Sequence, residues 1–179
     1  LADAWTDALA GDPISAFGGI LVTNRAIDPV TAVEINKIFF EVIIAPSYSD
    51  EALQVLRQKK NRIILIRKEV ELPQYQFKTL LNGVIWQNQD TKRESASDLK
   101  LVTEEVPTDQ QVEDLLFANI LVKHTKSNAI VLVKNRQLIS SGTGQTSRVD
   151  ALKQAITKAN HFGFDLNGDD IIDTPFELE

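Results

Sequence analysis

Glu41-Val42-Ile43-Ile44-Ala45-Pro46, flanked by Asp28-Pro29 upstream and Ile63-Ile64-Leu65-Ile66 downstream, decides the fold class. Val42-Ile43-Ile44 is a β-branched run that stops at a proline, as a short buried strand does. Asp28 is a good N-cap residue with proline at the first helical position behind it, so a helix is predicted there. Its buried face is expected to carry Ala32, Ile35, Ile38 and Phe39. Asp50 is the expected cap of a second helix, with Ala52, Leu53 and Leu56 on its apolar side. Ile20-Leu21-Val22, after Gly18-Gly19, and Ile63 to Ile66 supply further apolar runs. Short apolar strands alternating with amphipathic helices mark βαβ units and a largely parallel sheet. Because the runs are continuous rather than alternating, helices are expected on both faces of that sheet. The fold class is therefore α/β.

Leu1-Ala2-Asp3-Ala4-Trp5 reads as the inside of an amphipathic helix, broken at Asp12-Pro13. This opening suggests further chain upstream, and the close at Phe176 to Glu179 looks equally arbitrary. Residues 71–107 are less regular, with Val84-Ile85-Trp86 a possible strand and 88–98 a polar excursion. Thr108 and Gln111 then form a capping box ahead of a helix with Val112, Leu115, Leu116 and Ile120 at helical spacing. Ala129 to Val133 and Gln137 to Ile139 read as strands joined by a turn at Asn135. The last clear helix bears Val149, Leu152, Ile156 and Ala159 on one side. The expected division is 1–80, an irregular connection over 81–107, and 108–179.

Composition narrows the function. The 179 residues carry 25 acidic and 19 basic side chains, a formal net charge of −6. With no basic block, nucleic acid is not an expected partner. Cysteine is absent, which removes disulfides, thiolate metal sites and cysteine nucleophiles. No apolar run approaches the roughly 20 residues that span a bilayer, so no membrane partner is expected and a cytoplasmic location fits. Asp165, Asn167 and Asp169 faintly suggest a calcium loop, but Asp170 stands where glycine is required and Phe176 where the bidentate Glu belongs. His124 and His161 are the only histidines and lie far apart in sequence, so no metal site is expected.

Several segments can carry chemistry. In Gly142-Thr143-Gly144-Gln145-Thr146-Ser147-Arg148-Val149-Asp150, glycines permit close ligand approach and a helix start offers free N–H groups. Ser147 and Asp150 form a capping pair, while Arg148 opposes the helix dipole, a cost that a bound carboxylate or phosphate would offset. The bland reading is a glycine turn with a solvated arginine, and spacing alone slightly favours it. Ser15-Ala16-Phe17-Gly18-Gly19 offers a ring for stacking and open backbone, or simply a core phenylalanine beside a tight turn. Glu41 either accepts hydrogen bonds from a polar ring edge or is a solvated strand-end acid. Lys123-His124-Thr125-Lys126-Ser127-Asn128 joins a helix to a strand. Lysine could stabilise an oxyanion, histidine could move a proton and asparagine could orient a carboxamide. A basic helix end explains Lys123 and His124 equally well, but Asn128 less so.

Together, four stretches resemble the AICAR transformylase domain of the bifunctional AICAR transformylase/IMP cyclohydrolase family. They are Asp12 to Gly19, Glu41 to Pro46, Lys126-Ser127-Asn128-Ala129-Ile130-Val131, and Gly144 to Asp150. They occur in the family's order and cover residues 1–160. The resemblance implies a duplicated cytidine-deaminase-like fold of three-layer α/β subdomains without zinc. It also implies transfer of a formyl group from 10-formyltetrahydrofolate, a cosubstrate and not a tightly bound cofactor, to the amine of AICAR. Its sites would lie at a homodimer interface.

By the same resemblance, Asn128 contacts the AICAR carboxamide near the reacting amine, with Lys123 in a supporting role. Phe17, Gly18, Glu41, Gln145, Ser147, Arg148 and Val149 line the folate and nucleotide pocket. Whether K+ binds near Thr125 and Ser127 stays open. The family's catalytic Lys-His pair has its place before Leu1, since Lys123-His124 matches a different segment. Beyond Asp165-Leu166-Asn167-Gly168 the family's downstream segment is not found, and neither is the cyclohydrolase half. The chain alone is therefore expected to have little or no transformylase activity. The other class left standing is a non-catalytic binding or interaction module.

Overall fold

The computed structural model describes residues 1–164 and 166. The calcium-loop residues Asp165, Asn167, Asp169, Asp170 and Phe176 lie outside the described residues.

Helix α1 (Ala2–Ala10) leads to strand β1 (Gly19–Val22), helix α2 (Pro29–Ile35), β2 (Phe40–Ala45), α3 (Asp50–Leu56) and β3 (Ile63–Ile66). The strands form a parallel sheet in the order β1-β2-β3. Asp28 caps α2 by accepting from the Thr31 N–H at 2.8 Å, with Pro29 opening the helix. The cap of α3 is Ser49, not Asp50: Ser49 holds the extended backbone and its Oγ accepts from the Ala52 N–H. Both residue types cap well, and Asp50 instead lies in the first turn, where its charge suits the dipole.

Side chains of one sheet face enter a core of Ile27, Ala32, Ile35, Phe40, Ile43, Ala45, Ala52 and Leu56, lined by Leu1, Trp5, Leu21 and Ile64. Among the described residues nothing covers the opposite face. In register, Ile20, Val42 and Ile63 form one row and Val22, Ile44 and Leu65 the next. Ile20 is 66% exposed, Val22 65%, Ile63 50% and Leu65 45%. The expectation of helices on both faces thus fails among the described residues, where α2 and α3 serve one side alone. The predicted α2 face is also shorter than expected. Helix α2 ends at Ile35, so Thr31 joins Ala32 and Ile35 in the core, while Phe39 is exposed in the turn before β2.

Strands β4 (Tyr75–Leu80) and β5 (Gly83–Asn88) form an antiparallel hairpin with every residue exposed. The expected division at residue 80 falls in this hairpin's turn, where Leu81 takes φ +50. After a single 3₁₀ turn at Ala96–Asp98, helix α4 (Asp109–Lys123) starts from the predicted Thr108–Gln111 capping box. Strands β6 (Ile130–Lys134) and β7 (Gln137–Gly142) pair antiparallel through Asn135 and Arg136, both with positive φ, the signature of a two-residue hairpin turn. Helix α5 (Arg148–His161) lays Ala151, Ala155 and Ala159 against this hairpin. Gly142 lets it approach: a Cβ there would overlap the Ala151 carbonyl.

The two parts meet at α1 and its exit. The Gln137 side chain donates to the Asp7 carbonyl at 2.9 Å, and Lys158 pairs with Asp12 at 2.7 Å.

Candidate functional site

The loops on either side of the β6–β7 hairpin are zipped together at its open end. Asn128 N–H donates to the Gln145 carbonyl and Gln145 N–H donates to the Asn128 carbonyl, each at 3.2 Å. Gly144 N–H donates to the Lys126 carbonyl at 2.7 Å, from a backbone at φ +66 that favours glycine. The Asn128 side-chain amide donates to the carbonyls of Gln145 (3.1 Å) and Thr146 (3.2 Å). Both N–H bonds of that amide are thereby used, and among the described residues Oδ1 has no donor.

Ser147 caps α5: its Oγ accepts from the Asp150 N–H at 3.0 Å and donates to the Asp150 carboxylate at 2.7 Å. Arg148 and Val149 open the helix and are exposed. Among the described residues the Arg148 guanidinium has no ion pair, and neither does Lys126, whose stem passes over Gly144. Asn128, Gln145, Ser147, Arg148 and Val149 therefore form one cluster, with two unpaired cations at its rim. A cation in the first turn of a helix is unfavourable unless an anion joins it.

Phe17, Gly18 and Glu41 form a second group. Gly18, at φ +75, donates its N–H to the Phe39 carbonyl at 2.9 Å, which sets Phe17 beside Phe39 with ring centroids 5.2 Å apart. Phe17 is 71% exposed and Phe39 47%, so the core reading of Phe17 gives way to an open aromatic ledge. Glu41 is an exposed residue within β2, not ahead of it. The structure does not bring this group into the first cluster: the Asp12–Lys158 pair ties the segment before Phe17 to the far end of α5. Lys158 lies ten residues along α5 from Arg148, about 15 Å at 1.5 Å per residue.

Lys123 is engaged elsewhere. Its ammonium pairs with Asp90 at 2.9 Å and donates to the Lys92 carbonyl at 2.7 Å, holding the 88–98 excursion against α4. Asn119 adds a bond to Glu94 at 2.6 Å. The Asp90 carboxyl is held below the usual carboxylate range, chiefly by the hydrogen bond from Lys123.

Sequence reading missed two residues. Gln154 of α5 accepts from the Thr143 N–H at 2.8 Å and from the Gln145 side chain at 3.3 Å. Asp12 accepts from Lys158 and Ser15; burial alone would raise its pKa, but these donors together lower it. Neither carries a local signal, because a glutamine within a helix and an Asp before Pro are common. Shallow cavities flank these parts. One of about 320 Å³ is lined by Asp12, Ser15, Lys158 and His161, and another of about 380 Å³ by Tyr48, Arg57 and Arg62. Among the described residues no group of three or more His, Asp or Glu side chains is placed to hold a metal ion, and no helix is long and apolar enough to cross a membrane.

The family model described as AICARFT/IMPCHase bienzyme matches residues 1–158. The chain is 67% identical over 166 residues to the bifunctional purine biosynthesis protein PurH of Bacteroides thetaiotaomicron, covering 93% of this chain and 33% of that protein. The PurH proteins of Acetivibrio thermocellus and Aquifex aeolicus are 48% identical over 158 residues and 46% over 166. Those matches cover 86% and 93% of this chain, and 31% and 32% of the relatives. The chain thus spans about a third of the length of the curated relatives it matches. With the family model covering nearly all of the described residues, the chain belongs to the AICARFT/IMPCHase bienzyme family.

Proposed function

We propose that this chain is part of an AICAR formyltransferase and carries the Asn128–Arg148 portion of its site. In that reaction the AICAR amine attacks the formyl carbon of 10-formyltetrahydrofolate. The bond from that carbon to the folate N10 breaks, the amine loses a proton, and N10 gains one. Such a step needs the weakly basic amine held in line and donors near the developing oxyanion.

One observation carries the reading: the loops 126–128 and 143–147 are locked together so that the free Oδ1 of Asn128 lies in the same cluster as the unpaired Arg148. Asn128 Oδ1 suits an N–H donor such as a carboxamide or amine. Arg148 and Lys126 suit an anionic group of nucleotide or folate, and the Phe17–Phe39 ledge suits a flat ring. The Thr125 hydroxyl donates to the Leu121 carbonyl, leaving its lone pairs open, and these oxygens with Ser127 suit weakly held K+. The same reading places the enzyme in the cytoplasm as a homodimer. It makes the two α/β parts the halves of a duplicated deaminase-like fold. The chain alone is expected to turn over little or not at all.

The alternative, a non-catalytic ligand-binding or interaction module with the same fold, draws on the engagement of Lys123 by Asp90 and Lys92. Calorimetry with a folate analogue separates the readings. The enzyme reading predicts binding that Arg148→Ala weakens about tenfold, whereas indifference of the chain to both folate and AICAR supports the alternative. Robust formyl transfer by the purified chain would refute the expectation of low turnover.

A further inference from the structure

Gln154 makes the tie between α5 and the site loop, and this tie has no counterpart in the chemistry assigned so far. Its Oε1 accepts two bonds, one from the backbone of Thr143 and one from the Gln145 side chain. The Gln145 side chain also donates to the Thr143 carbonyl at 3.0 Å, which closes a small ring of hydrogen bonds. Gln145 in turn exchanges backbone bonds with Asn128 and accepts from the Asn128 side chain. A continuous path therefore runs from the body of α5 to the Asn128 carboxamide. Gly142 makes the path possible, because only a residue without Cβ allows α5 close enough for a glutamine to reach back to Thr143.

We infer that Gln154 is a positioning residue. It fixes the 143–146 loop so that the Asn128 amide is spent on Gln145 and Thr146 and its Oδ1 is presented to the ligand. This rests on the reading of the Asn128 cluster as a ligand site. It adds a chemical requirement: the group that Asn128 recognises must donate, since a carbonyl or carboxylate there would face an oxygen. What matters at position 154 is an acceptor at the end of a side chain of this length. Glutamate keeps that acceptor, and leucine fills similar space without one.

The test compares the unsubstituted chain with Gln154→Leu and Gln154→Glu. Thr143 amide exchange is read by NMR, AICAR affinity by calorimetry and stability by thermal melting. The inference predicts that Q154L speeds Thr143 exchange and weakens AICAR about tenfold, while Q154E stays within twofold on both. The melting temperatures of the variants guard against general unfolding. An affinity in Q154L within twofold of the unsubstituted chain would overturn the role of Gln154 alone, as would failure of Q154E to rescue. Absence of AICAR binding by the unsubstituted chain would overturn the site reading, and the role of Gln154 with it.

Discussion

Among the described residues Asp114 is the one buried acidic side chain, 4% exposed on α4, and its two oxygens receive the N–H groups of Arg136 (2.6 Å) and Asn135 (2.9 Å). Those residues form the β6–β7 turn in the left-handed region, which non-glycine residues enter at a cost. The carboxylate therefore pins both the turn and the helix packed beside it. Replacing it by alanine removes two hydrogen bonds to a charged acceptor, each worth about 1.5–3 kcal/mol. The turn is exposed, so the released N–H groups regain water, and the lower end of that range applies. Asp114→Ala should cost about 3 kcal/mol. Asp114→Asn keeps one acceptor oxygen and turns an N–H toward the second donor, so about half that loss is expected. At about 2–4 °C per kcal/mol for a chain of this size, the alanine variant should melt about 6–12 °C lower. Urea unfolding followed by circular dichroism reads the difference, with Gln110→Ala as a control because its bond to Asp114 is long at 3.5 Å. A loss below about 0.5 kcal/mol in Asp114→Ala would refute the reasoning, since that is the range of an ordinary surface change.

Gly142→Ala must push α5 off β7, because the added methyl would overlap the Ala151 carbonyl. A loss of about 3 kcal/mol, as in overpacked cores, is expected in the same urea assay, and no loss would contradict the close approach. Asp12 has a depressed folded pKa, so its pairing with Lys158 and Ser15 stabilises the fold above the unfolded value near 4 and is lost as pH falls below it. The stability gap between the unsubstituted chain and Asp12→Asn should be full at pH 7 and shrink toward zero below pH 4; a gap that widened on acidification would reverse the sign. On the open sheet face, Ile20→Thr with Ile63→Thr keeps β-branching, so stability should change by less than about 1 kcal/mol while fluorescence of a hydrophobic dye falls. A loss above 3 kcal/mol would show that these side chains are packed.

The parallel sheet was legible because Val42-Ile43-Ile44 and Ile63 to Ile66 combine β-branching with firm stops, and because Asp28-Pro29 and Thr108–Gln111 announce helix starts. The one-sided cover was not legible. Residues on an open face and a packed face are equally apolar here, so hydrophobicity alone carries no record of which face a helix takes. Strand β4 carries a strand's alternation in Tyr75-Gln76-Phe77-Lys78-Thr79-Leu80, but it buries neither face and depends on its pairing with β5, a partner that the run itself does not specify. Within the site, the glycine loop and the Ser147 cap are written locally. The clasp by Gln154 and the diversion of Lys123 to Asp90 depend on partners 11 and 33 positions away, which no local pattern encodes.

Under the proposed function the Asn128–Arg148 cluster recognises the acceptor nucleotide. Titrating isotope-labelled chain with AICAR and mapping amide shifts by NMR tests it most directly. The account predicts perturbations concentrated at residues 126–128 and 143–149 that Asn128→Ala abolishes. Saturating AICAR that leaves those amides unmoved, or moves only residues elsewhere, would contradict it.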